Sequence, residues 1–312
     1  MQRSLIIAAA LASVGASAFA QGTVTVYGRL NVSIESQDVG NADSNTVMQN
    51  NSSRWGLKGS EDLGGGMNAG FVLESGFNPA NGAAGPTLNN PTNAFWGRQS
   101  EVFLSGKWGM VRLGNFTSEA YYATADYVSM HNHDTGTSSD AFYTYLGRDT
   151  SKVSYRAPSF GGATFEIGTS ISSPTQEDTL DLALNYDAGP MHLGAGYQMQ
   201  GDANQFGLRG LYEMGAFTFG GYYQRSDLPV IGSRDNFRLS GMYTMGSTEL
   251  HLNWGTTNGY SNLTNDSADQ FTIAVNQNLS KRTKIYAFYT KITSDIPSGE
   301  FSSFAVGVRH NF

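Results

Sequence analysis

The sequence predicts an all-β fold: a 16-stranded antiparallel transmembrane β-barrel with its third external loop folded inward. Three observations carry that reading. From Thr23 onward the chain falls into sixteen short runs that alternate apolar and polar residues, and a period of two is that of a strand with one apolar face. Tight turns and longer polar loops alternate between the runs. The alternation fails once at length, from Gly114 to Arg148, and a connection that long in a compact domain is usually functional.

The first residues stand apart. Met1-Gln2-Arg3 is a basic start, Leu5 to Val14 is apolar, and Ala18-Phe19-Ala20 is a small-x-small cleavage site. Residues 1–20 therefore read as a cleaved secretory signal peptide, and 21–312 as a single barrel domain. Removing Arg3 leaves 18 basic against 26 acidic residues, a net charge of −8. That balance argues against nucleic acid, whose partners present basic surfaces. Cysteine is absent, which in an exported chain excludes a disulfide framework, thiolate metal sites and thiol nucleophiles.

In the first run Val24, Val26, Leu30, Val32 and Ile34 share one face, and Thr25, Tyr27, Arg29, Asn31 and Ser33 the other. Next, Trp55, Leu57 and Gly59 alternate with Arg54, Gly56, Lys58 and Ser60, and Gly64-Gly65-Gly66 turns the chain. Phe71 and Leu73 resume the apolar face before a Pro-, Gly- and Asn-rich loop over 78–91. The fourth run, Trp96 to Gly106, is untidy: Arg98 shares parity with Val102 and Leu104, so alternation leaves its direction open, and a bulge would reverse it. In the fifth, Arg112 alternates with Val111 and Leu113.

Beyond the long loop the pattern persists, through Lys152, Ser154 and Arg156 against Val153 and Tyr155, to a last run with Phe304, Val306, Val308, His310 and Phe312 on one face. Short turns such as Gly189-Pro190 and Glu213-Met214-Gly215 alternate with loops read over Ser226–Asp235, Thr256–Asp269 and Ser294–Ser302. Tyr and Phe recur near the ends of the apolar faces. An even strand count, runs of about ten residues and apolar-out alternation mark an outer-membrane barrel, and sixteen strands leave an aqueous channel. A soluble sandwich would scatter its loop lengths between both ends, and a β-helix would show a short fixed repeat, which the chain lacks.

On VTVYGRL (24–30), SSRWGLKGSEDLGGGMNAGFVLESGF (52–77), LSGKWGMVRLG (104–114), YRAPSFGG (155–162), NLSKRT (278–283) and VGVRHNF (306–312), the chain resembles the general diffusion porins of Gram-negative bacteria, in the neisserial and β-proteobacterial branch. Residues 163–277 match by pattern only. The resemblance implies a homotrimer in the outer membrane among lipid and lipopolysaccharide. It also implies insertion by the barrel assembly machinery through a terminal aromatic, here Phe312, and passage of small hydrophilic solutes and ions. Residues 115–147 would be the constriction loop.

The resemblance puts Arg29, Arg54, Arg98 and Arg148 at the basic wall of the constriction. Alternation independently turns Arg29 and Arg54 inward, and Lys58 and Arg112 extend the stripe by the same parity. The acids expected to face them are Asp126 and Asp134, with Glu119 third. The family's proline-glutamate-phenylalanine-glycine-glycine tip is missing, and HNHDTG (131–136) stands near its place. Opposed charges in a narrow mouth set up a transverse field that favours small polar solutes, and a mild anion preference is expected. No cofactor or metal is expected: the exposed His131-x-His133 pair lacks the further ligands and supporting shell of a specific site. A hydrolase reading finds no exposed nucleophile motif beside the inward His192 or His251. An adhesin or receptor role for the long loops is compatible with a channel and stays open.

Overall fold

The computed structural model describes residues 22–84, 94–126, 128, 136–146, 149–171, 177–260 and 266–312; the signal segment expected over 1–20 lies outside them. The chain opens with β1 (Thr23–Val39), β2 (Asn45–Asn50), β3 (Arg54–Gly64), β4 (Met67–Gly76), β5 (Gln99–Gly106) and β6 (Gly109–Phe116). After the long loop come β7 (Asp149–Arg156), β8 (Ala163–Ser170), β9 (Thr179–Ala188), β10 (Met191–Gln200) and β11 (Ala203–Met214). The circuit ends with β12 (Phe217–Leu228), β13 (Gly232–Met245), β14 (Thr248–Asn258), β15 (Ser267–Asn278), β16 (Thr283–Ser294) and β17 (Phe301–Asn311).

These segments form one antiparallel ring, closed where β1 pairs with β17 from Arg29↔Asn311 to Val39↔Phe301. Closure leaves no sheet edge, the condition for strands to cross lipid. β2 and β3 both pair with β1 and make a single wall strand, so the seventeen segments build sixteen. The apolar faces look outward: Val24 and Ile34 are each 60% exposed, while Asn31, Ser33 and Glu35 are buried inside.

The break between β2 and β3 is a bulge with a consequence for function. Val32 pairs with Asn50 but Arg29 pairs with Arg54, so three residues, Asn51 to Ser53, oppose two on β1. Ser52 takes φ +59° to absorb the extra residue. Asn51 N donates to Asn31 O at 2.8 Å and Asn31 N to Ser53 Oγ at 3.0 Å, filling the gap in the ladder. An extra residue reverses parity. Gln49 on β2 is therefore odd and inward, whereas Arg54 on β3 is even and inward.

Three loops are shorter than the alternation suggested. The ladder runs on to Leu228↔Gly232 and Asn258↔Ser267, and β16 and β17 extend to Ser294 and back from Phe301. Beyond the apolar belt most residues on both faces of these strands are polar, so the pairing continues where the hydrophobic alternation has stopped.

Candidate functional site

The long loop begins as a continuation of β6 and is tied to the wall at once. Ser118 caps a helical turn, Glu119–Tyr121, which widens into a π turn, Tyr122–Asp126. Its free N–H groups are met by Asp181 of β9, which accepts from Glu119 N and Ala120 N at 2.9 Å each and from Ser118 Oγ at 3.1 Å. A carboxylate there satisfies orphan donors and the helix dipole together. Lys152, itself buried, ion-pairs with Asp181.

Beside this turn, Arg112 lies 4.1 Å over the Phe116 ring and bridges Glu101 (2.8 Å), Glu166 (3.2 Å) and Glu119. Arg156 reaches Glu166 at 2.6 Å and Glu119 at 3.2 Å. With three carboxylates around two guanidiniums, burial and the Glu166 charge raise the Glu119 carboxyl above its ordinary range.

Glycines form the seat under the turn. Gly196 and Gly207 are direct partners on β10 and β11. A Cβ on Gly196 would come 2.6 Å from the Ala120 carbonyl oxygen, and one on Gly207 would come 2.8 Å from Thr124 Cγ2. Tyr143 and Tyr145 from the returning leg pack edge-on to Tyr121, with centroids 5.5 and 5.0 Å away.

The described residues further along the loop are pinned to strands from β12 round to β1. Ser240 of β13 donates to Val128 O at 2.8 Å, and Gln224 of β12 holds both Thr144 N (2.9 Å) and Thr144 O (2.8 Å). Asp140 caps Phe142 N at 2.9 Å, pairs with Arg238 at 2.9 Å and accepts from Tyr222. Thr137 reaches as far as β1, donating to Glu35 at 2.7 Å, while Phe142 packs against Ala268 of β15 and Ile292 of β16.

Across from the seat the wall is basic. Arg29 of β1 stands directly opposite Arg54 of β3, and Lys284 of β16 directly opposite Arg309 of β17. Like charges opposed in this way are destabilising, and the wall contains the arrangement twice on neighbouring strands. Arg98 precedes β5 and turns inward onto Glu74 at 2.6 Å, while Arg54 lies 3.8 Å from the same oxygen. Its backbone N also donates to Glu74 O, out of step with the Gln99↔Glu74 pair. The irregular entry to the strand is why alternation could not orient Arg98. Lys58, nearer the turn end, sits 5.0 Å over the Tyr27 ring.

Of the expected residues, then, Arg29, Arg54 and Arg98 gather on one wall and Lys58 lies below them. Arg112 and Glu119 meet on the other side, where they anchor the loop. Asp134, Arg148, His131 and His133 lie outside the described residues, as does the side chain of Asp126. His192 contacts Asp187 at 2.6 Å, and His251 lies 3.6 Å from Glu249. The sequence reading passed over Arg309 and Lys284, although parity with Val308 and Ile285 turns both inward. It also passed over Asp181, whose part depends on the path of a loop some sixty residues away.

The sequence profile of the Gram-negative porin family matches residues 8–296. An outer membrane porin protein of Bordetella pertussis is 27% identical, over the full length of both chains. Outer membrane porin protein 32 of Delftia acidovorans is 30% identical over 92% of this chain and 88% of its own. In fold, the anion-selective porin from Comamonas acidovorans is similar with a TM-score of 0.73 at 21% identity, covering 93% of this chain and 100% of that one. The chain belongs to the Gram-negative porin family: it is an outer-membrane barrel that works as a channel for passive diffusion and not as an enzyme.

Proposed function

We propose that the lumen narrows between the inward loop, residues 115–147, and the wall bearing Lys284, Arg309, Arg29, Arg54 and Arg98, and that this gap passes small hydrophilic solutes with a mild preference for anions. The observation that carries the reading is the doubled like-charge opposition, Arg29 against Arg54 and Lys284 against Arg309. Repulsion of that kind costs stability unless a field is wanted there. The acids on the loop side, Glu119 and Asp140, are engaged by arginines of their own wall. On the opposite wall Glu74, beside Arg54 and Arg98, and Glu249, 3.5 Å from Lys284, offset part of the charge of five cations, which is why the preference is mild. The net charge of −8 matters less, because charges beyond roughly 8–10 Å are screened at physiological salt. Arg148, Asp126 and Asp134 belong to the same proposed gap.

The working unit is proposed to be a homotrimer in lipid and lipopolysaccharide, inserted by the barrel assembly machinery after loss of residues 1–20. Purified protein added to a planar bilayer should give stepwise ohmic conductance increments whose zero-current potential in a salt gradient has the anion-selective sign. Steps without selectivity, or with the cation-selective sign, contradict the proposed gap.

A further inference from the structure

We infer that Tyr122 is a stacking platform in the gap, and that the solutes it favours are planar aromatic carboxylates, with the ring on Tyr122 and the carboxylate toward Arg29 and Arg54. The inference rests on the reading of loop and wall as the constriction. From Phe116 to Ala125 every residue is buried except Tyr122, which is 43% exposed. The turn explains the direction of that side chain. Ala120 and Thr124 lie against the glycine seat of β10 and β11, and Tyr121 and Ala125 join the buried cluster with Val128 and Tyr222. At about 100° per residue, Tyr122 projects from the face opposite Ala120 and Thr124, away from the wall. Inside a closed barrel that direction is the lumen.

The ring order supplies the other half of the site. Counting β2 and β3 as one wall strand, β10 and β11 stand eight places round the sixteen-strand ring from β1 and β3. A side chain leaving that seat at right angles therefore points across the lumen to the side of the ring that bears Arg29 and Arg54. Tyr121 backs Tyr122 at 5.6 Å with a 54° tilt and is itself held by Tyr143 and Tyr145, so the platform is supported from behind. Aromatic faces attract other aromatic faces beyond simple area burial, and guanidinium is suited to carboxylate. The widened turn, rare in proteins, is itself frequent at functional sites.

The test compares two carboxylates of equal charge and similar size, benzoate and cyclohexanecarboxylate, as blockers of chloride current through single channels at neutral pH. The wild type should bind benzoate roughly two- to tenfold more tightly. Tyr122→Leu should lose that ratio and Tyr122→Phe should keep it. Equal block by the two acids in the wild type overturns the platform, as does a ratio that survives in Tyr122→Leu. The zero-current potential of the same channels reads the wall separately. A missing anion preference with the ratio intact faults the reading of the wall and leaves the platform standing, whereas a normal preference with no ratio faults the platform alone.

Discussion

Arg29 of β1 and Arg54 of β3 stand directly opposite each other across one antiparallel pair, and both turn into the lumen. The bulge at Asn51 to Ser53 makes this possible, because it changes which parity of the second wall strand faces inward. Opposed like charges cost up to about 1 kcal/mol relative to a neutral pair. Arg54→Gln should therefore raise thermal stability in detergent slightly, or leave it unchanged, while it weakens anion preference. A clear loss of stability would mean that Arg54 is held by favourable contacts that outweigh the repulsion.

The buried Lys152–Asp181 pair carries the start of the loop. Lys152→Met leaves the Asp181 carboxylate buried without its cation, and breaking a buried pair by removing one partner costs about 3–5 kcal/mol. The double change Lys152→Met with Asp181→Asn should recover much of that loss, because the uncompensated charge is gone. Denaturation of both variants and the wild type checks this; a double mutant no better than Lys152→Met would contradict it.

Gly196 is the part of the seat that a side chain would fill. Its Cβ would meet backbone atoms of Ala120 at 2.6 and 2.8 Å, and backbone cannot turn aside as a flexible side chain can. Gly196→Val should push the turn toward the basic wall and lower single-channel conductance, with the barrel still closed and heat-stable. Unchanged conductance would show that the turn can shift along the wall instead.

Gly28 and Phe312 exchange both backbone hydrogen bonds, each 3.1 Å, where the ring closes. The Phe312 ring lies over Gly28, where a Cβ would collide with it. Deleting Phe312 should block assembly in cells while refolding in detergent survives, since one exchanged pair is a small share of the β1–β17 ladder. Equal yields of assembled protein in cells, with and without Phe312, would leave the residue with only a closing role.

Alternation made most of the wall legible, because a strand between lipid and water must carry its apolar residues at every second position. It gave Arg29, Arg54, Lys58 and Arg112 their inward direction, and the same rule held Arg309 and Lys284 in plain view. It failed where the backbone leaves the regular pleat. Asn51 to Ser53 reverse parity with no change in composition, and Arg98 lies in a bend before its strand begins. Past Arg225 and Asp235 the paired strands outrun the apolar belt, so polar residues looked like loop. Least legible were the loop's anchors: Asp181 caps a turn that begins sixty-two residues earlier, and no local pattern relates the two.

The central claim is that the basic wall, not the net charge, sets selectivity, and the zero-current potential across a tenfold potassium chloride gradient tests it most directly. The wild type should give the anion-selective sign. Arg29→Ser combined with Arg54→Ser should move the potential toward cations and raise conductance, because two charges and two bulky side chains leave the gap while the outer loops stay as they are. If wild type and double mutant give the same potential, Arg29 and Arg54 do not face the permeating ions at the narrowest point, and the account of this channel is wrong.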